Sequence, residues 1–168
     1  MAKVVDSYRY LNRASRGIVE AWIAREQPRA IPWTPLRKPL AESRVALVST
    51  AGIALRNDQP FDQEGERKNP WWGDPTFRVI PRTATERDVR IFHLHIETAY
   101  ALQDLNCIFP LQRLLELEAA GEVGQSAPSH YSFMGYILQP RVLVEESAPA
   151  MIRRLRAESV EAVVLVPV

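Results

Sequence analysis

Three histidines, one cysteine and a few carboxylates carry what reactive chemistry this chain can offer, and they fall close together in sequence. The stretch "DVRIFHLHIE" spans residues 88–97 and reads as a strand. A side-chain period of two then puts His93, His95 and Glu97 on one face with Ile91, and Phe92, Leu94 and Ile96 on the other. Ten residues on, Asp104, Asn106 and Cys107 lie in a loop that enters a helix N-terminus, where the dipole favours a thiolate or a bound anion. A second loop, "APSHYSFMGY", carries His130 and Ser132. An i, i+2 histidine pair with Cys and His suits Zn or Fe, though its spacing is less specific than paired CxxC motifs. A histidine and a carboxylate can instead tune a thiolate and move protons. Cys107 can equally be a small buried hydrophobe, as free cysteines often are.

The elements that must position these groups follow from patterning. Apolar residues at helical spacing predict a helix over residues 7–26, through Leu11, Ile18, Val19, Trp22 and Ile23. "QPRAIPWTPLRKPL" cannot be regular helix or central strand, so it reads as an extended arm over the domain. Residues 45–48 form a short buried strand. Ser49, Thr50 and Gly52 make a tight polar turn at its carboxyl end, where open α/β sheets place ligands. As a phosphate signature this turn is weak, and it is also an ordinary way to end a strand. Residues 57–76 are polar and turn-rich, and Trp71 and Trp72 either cover a site or pack back on their own domain, the reading preferred here. Residues 77–81 predict a strand. Pro110 and Gly121 bracket a helix whose stripe is Leu111, Leu114, Leu115 and Leu117. A short strand at residues 122–126 and a helix at 140–160, bent at Pro149, precede the terminal run "VEAVVLVPV". That run is β-branched and free of charge after Glu161, which predicts a fully buried strand beside the one at 45–48. Strands alternating with helices indicate an α/β fold: a three-layer, mainly parallel open sheet of flavodoxin-like or Rossmann-like type. The expected domains are an N-terminal helix and Pro-rich arm at 1–40 and an α/β body at 41–168.

Composition narrows the function classes. A net charge of +1 gives no electrostatic case for nucleic acid or an anionic membrane. A single cysteine excludes an internal disulfide framework and fits a reducing cytoplasm. No stretch reads as a signal peptide or a membrane span.

Five segments, "PWTPLRKPLAESRVALVSTAGI", "FRVIPRTA", "DLNCIFPLQRLLELEAAGEVG", "HYSFMGY" and "VEAVVLVPV", occur in an order that resembles the selenoprotein B family. These are the selenocysteine-bearing subunits of glycine, sarcosine, betaine and D-proline reductases, with smaller bacterial relatives. In that family His93 matches a histidine ending a strand, and Glu97 stands where an acidic residue, usually Asp, is found. His95 has no clear counterpart. The resemblance implies a selenocysteine or cysteine just beyond Val168, and no cofactor within the chain itself. It also implies a small-molecule substrate that loses an amine and a thiol reductant. Separately, a terminal strand without a covering helix leaves apolar surface exposed, so a homo-oligomer or a partner subunit is expected. By the same resemblance Cys107 is a thiol partner or structural, His93 and His130 are proton donors or anchors, and Glu97 and Asp104 orient them. Ser49, Thr50, Gly52, Asn106 and Ser132 are the expected substrate contacts. The rival expectation is a non-catalytic subunit or binding module that keeps the fold without the reaction.

Overall fold

A computed structural model describes residues 8–25, 30, 33–69 and 71–168. Contacts divide the chain into units Met1–Pro35 and Leu36–Val168. In the first, α1 (Arg13–Ile23) starts at Asn12, whose side chain accepts the Ser15 N–H at 2.9 Å, and an Arg16–Glu20 pair spans one turn. The helix is shorter than the predicted 7–26, and none of its residues is buried, Ile18, Trp22 and Ile23 included. Of the predicted Pro-rich arm, Pro28 and Pro32 lie outside the described residues.

The second unit runs β1 (Arg44–Ser49), β2 (Ile53–Leu55), α2 (Gln63–Lys68), β3 (Phe77–Pro81), β4 (Val89–Ile91), α3 (Thr98–Gln103), α4 (Leu111–Ala119), β5 (Gln125–Ser126), β6 (Ser129–Phe133), α5 (Ala148–Ala157) and β7 (Ala162–Val166). β1 is the centre of a mainly parallel sheet. It pairs with β7 along one side, and with β5 and then β6 along the other. β3 adds antiparallel to β6, and β2 and β4 form a separate antiparallel pair.

Alternation along β1 decides the layers. Val45 and Leu47 face a core built with Phe109, Leu111, Leu114 and Val123, so α4 covers that side. Ala46 and Val48 face Tyr131, Met151 and Leu155, so α5 covers the other. The expected α/β architecture with a mainly parallel sheet is therefore present.

Three local expectations differ. The predicted strand at 88–97 stops at Ile91, because the chain curls when the His93 ring nitrogen Nδ1 accepts the His95 backbone N–H at 3.1 Å. The period-two argument then lapses: His93 is buried, while His95 and Glu97 are exposed. The Pro149 bend takes another form. Residues 143–147 wind as a π-helix directly before α5, which carries Pro149 in its first turn, so the missing N–H is absorbed at the junction. The terminal strand does lie beside β1, but as the sheet's edge. Val164 is 46% exposed and Leu165 72%. With Val163, Leu165, Val144, Ile152 and Met151, this edge lines an apolar groove of about 360 Å³ between β7 and the helical segment 143–157.

Candidate active site

The turn after β1 joins four parts of the fold. Ser49 is fully buried; its hydroxyl donates to the Ile108 carbonyl at 2.7 Å and accepts the Ala51 N–H at 3.1 Å. It thereby ties the turn to the loop before α4. Thr50 N–H donates to the Val166 carbonyl at 3.1 Å. Its hydroxyl accepts the Val168 N–H at 2.8 Å and donates to the Val168 carbonyl at 3.3 Å. The terminal strand is thus delivered to this turn, as the sequence predicts. Gly52 has φ +61°, and a Cβ there would lie 2.4 Å from Met134 Sδ and 3.3 Å from the His93 backbone nitrogen. Only glycine allows both the left-handed backbone and the approach of the two neighbouring segments. Ser132 is equally buried, and its hydroxyl accepts the Ile53 N–H at 2.8 Å, which places it in the scaffold of the same turn.

His93 lies against this turn. Because Nδ1 accepts a backbone N–H, the neutral ring carries its proton on Nε2. Nε2 is buried and, among the described residues, has no hydrogen-bond partner. A Cβ on Gly135 would sit 2.9 Å from His93 Nε2 and 3.1 Å from both the hydroxyl and the carbonyl oxygen of Thr50. One donor and two oxygens therefore converge where Gly135 provides no side chain. Burial, and secondarily the charge of His95, pushes the His93 pKa below the ordinary histidine value, so the ring is a neutral N–H donor.

His130 has a different environment. It is fully buried, Nδ1 accepts the Leu47 N–H at 2.9 Å, and Nε2 faces the Ser126 hydroxyl at 3.1 Å. Where β5 gives way to β6, this ring replaces a backbone acceptor for β1. Burial, and then Arg82, lowers its pKa to about 4. Both nitrogens are occupied within the sheet, which fits the anchor role among those expected for it.

Asp104 and Asn106 belong to their own loop. Asp104 Oδ1 accepts the Asn106 N–H at 2.9 Å and its side-chain amide at 2.8 Å, and these bonds hold the carboxyl below the usual carboxylate range. Both residues line a shallow cleft of about 150 Å³ with Gln103 and Gln112. Cys107 is exposed beside them. Glu97 caps α3 by accepting the Ala99 N–H at 3.0 Å. Among the described residues, no hydrogen bond, ion pair or ring contact links Cys107 or Glu97 to His93. The structure thus brings Thr50, Gly52 and His93 together, with Ser49 and Ser132 beneath them, and leaves the Asp104–Cys107 loop attached through Ile108.

Sequence reasoning missed Glu66, Gly135 and Tyr136. Glu66 is 3% exposed on α2, and its Oε1 lies 2.8 Å from His95 Nε2. The Tyr136 ring lies 4.3 Å from that of His95. Asp62, with Gly65 three residues on, is a readable helix start, since its side chain accepts the Gly65 N–H at 2.8 Å. Nothing in the local pattern pairs Glu66 with a histidine 29 residues away. Among the described residues no group of three or more His, Cys, Asp or Glu is placed to hold a metal ion, and no helix is long and apolar enough to cross a membrane.

Comparison with known proteins adds the chemical context. The family model for glycine/sarcosine/betaine reductase selenoprotein B matches residues 24–168. D-proline reductase subunit gamma of Acetoanaerobium sticklandii is 34% identical over 133 residues, 79% of this chain and 52% of that protein. The chain therefore spans about half the length of that relative. No solved structure matches. With that match covering nearly all of the chain, and the Asn-Cys and Phe-Pro motif falling at the loop before α4, the chain belongs to the glycine/sarcosine/betaine reductase selenoprotein B family.

Proposed function

We propose that this chain forms part of a selenol- or thiol-dependent reductase that cleaves the C–N bond of a small amine-bearing substrate, working with a partner subunit. One observation carries the reading: the paired hydrogen bonds between Thr50 and Val168, which bring the end of β7 to the turn that His93 lies against, its buried Nε2 without a hydrogen-bond partner among the described residues. A selenol or thiol entering there supplies a nucleophile, and a selenol is ionised at a pH where an ordinary thiol, with a pKa of about 8.5, mostly is not. His93 supports the reaction as a fixed donor toward an oxygen of the substrate, held by its backbone bond to His95. Thr50 orients the strand end, and Ser49 and Ser132 keep the turn rigid. The thiol reductant this requires suits a reducing cytoplasm. Cys107, exposed on the neighbouring loop, is available as a thiol partner.

A second reading, a subunit that binds without catalysing, draws support from the exposed outer edge of β7 and its apolar groove. An edge strand beside apolar surface is a natural seat for another polypeptide. The intact protein purified from its own cells separates the two. The enzyme reading expects dithiol-dependent C–N cleavage, read as amine release from glycine, sarcosine or betaine and as ring opening of D-proline to an open-chain amino acid. It also expects iodoacetamide-sensitive selenol or thiol beyond Cys107, and a loss of about a hundredfold in His93→Gln. No cleavage of any of the four, with alkylation confined to Cys107, leaves the binding subunit.

A further inference from the structure

The buried carboxylate of Glu66 has no place in the reading above. Its Oε1 meets His95 Nε2 at 2.8 Å, and its Oε2 is buried with no hydrogen-bond partner among the described residues. One imidazole is therefore the only hydrogen-bond donor to a buried carboxylate, among the described residues. Such an arrangement costs stability, because a buried carboxylate oxygen without a donor forfeits its hydration. A bond made only to hold two segments together would be served better by neutral groups.

Local structure turns Glu66 toward this histidine with some rigour. Gln63 and Glu66 are i, i+3 on α2, hence on one helix face. The Gln63 amide donates to the Phe92 carbonyl at 2.6 Å, so both residues of that face grip the segment from Phe92 to His95. Trp72 closes the other side of the helix: a Cβ on Gly65 would lie 2.7 Å from its ring. His95 is held on one nitrogen and half exposed, with Tyr136 against its ring and His93 at 5.9 Å between ring centroids. Glu66, His93 and Tyr136 are the titratable groups that face it.

We propose that His95 is the proton donor to the departing amine at this site, and that Glu66 is its positioning residue. The proposal rests on the C–N cleavage proposed above. In a substrate whose amine nitrogen is uncharged, the electron pair stays on nitrogen as that bond breaks, and the nucleophile's pair makes the new bond to carbon. The nitrogen takes the proton from Nδ1 of the His95 imidazolium. The ring remains as neutral imidazole, its Nε2–H still given to Glu66, and regains a proton from water through its exposed face. The carboxylate's contribution is orientational: it fixes Nε2 as the protonated nitrogen of the neutral ring and leaves Nδ1 to exchange protons.

The test uses the intact reductase with Glu66→Gln and His95→Gln. Ring 15N NMR of the wild type should show His95 in the Nε2–H form, and Glu66→Gln should loosen that preference. In amine release, His95→Gln should lose about tenfold to a hundredfold in kcat and flatten the limb of the pH profile that reports the acid. Glu66→Gln should move that limb while keeping the fold. A purely structural pair would lower thermal stability in both variants and leave the limb in place, which overturns the proposal. A wild-type His95 in the Nδ1–H form overturns it as well. Wild-type release with an unmoved limb sinks this pair alone, whereas no release by the wild type sinks the reaction on which it rests.

Discussion

Lowering the pH from 7 to 4 should cost this protein about 3 kcal/mol of folding stability through His130 alone. The sign follows from proton counting. The folded pKa is about 4 and the unfolded one about 6.5, so between those values the unfolded chain binds more protons. Stability is therefore full above pH 6.5, falls as pH drops through the window, and levels off below pH 4. The physical cause is burial of the ring, with the charge of Arg82 adding to it, and protonation of Nδ1 also takes the acceptor from the Leu47 N–H inside the sheet. His93 is depressed in the same direction by burial and adds to the loss. Urea midpoints at pH 7 and pH 4.5, compared between wild type and His130→Gln, measure it. The variant should be less stable at pH 7 and should lose much less on acidification. An equal pH dependence in both proteins would remove His130 as the cause.

Gly73→Ala should destabilise by about 3 kcal/mol, near the upper end for inserting one methyl group into a packed site. A Cβ at Gly73 would lie 2.0 Å from the Tyr136 carbonyl oxygen and 3.1 Å from the Ile137 side chain. The obstacle is backbone, so no side chain can swing away. The flanking loop cannot yield cheaply either, because the buried Asp74 carboxylate accepts the N–H groups of Asp62 and Thr76, each at 2.9 Å. The strain must then detach residues 71–75 from Tyr136, the ring that backs His95. Expected results are a fall in Tm of several degrees and a red-shifted tryptophan emission as Trp72 leaves α2. Unchanged Tm and emission would mean that the approach is looser than the geometry states. Because the same contact supports the Glu66–His95 pair, the variant should also weaken that pair's NMR signature.

How far the residues alone reach can be judged element by element. The four apolar residues 45–48 followed by Ser-Thr-x-Gly declare a buried strand and a polar turn, because a strand covered on both faces tolerates no charge and the turn needs a left-handed glycine at Gly52. Pro110 and Gly121 bracket α4 for equally local reasons, the glycine taking φ +74° just past its end. The expected place of the terminal strand beside residues 45–48 is met by the pairing of β7 with β1, which brings Val168 to Thr50. Period and punctuation were enough for these, since each reflects chain-local energetics.

Other features depend on contacts between distant segments. The pattern at residues 88–97 reads as one strand, but a single side-chain-to-backbone bond at His93 ends it and separates the two histidines, burying His93 and leaving His95 exposed. The last strand has the composition of a buried one, yet its place at the sheet edge is set by which neighbours are present, and a run of valines cannot report that. Glu66 was silent in the sequence, since a carboxylate in a polar helix is ordinarily solvated. Only the tertiary structure, by folding α2 over the segment 92–95, took it out of water and gave it His95. Residue type and spacing determined the family, the turn and the strand that meets it. Burial and partner choice, which depend on the summed desolvation of many segments at once, were decided by the fold.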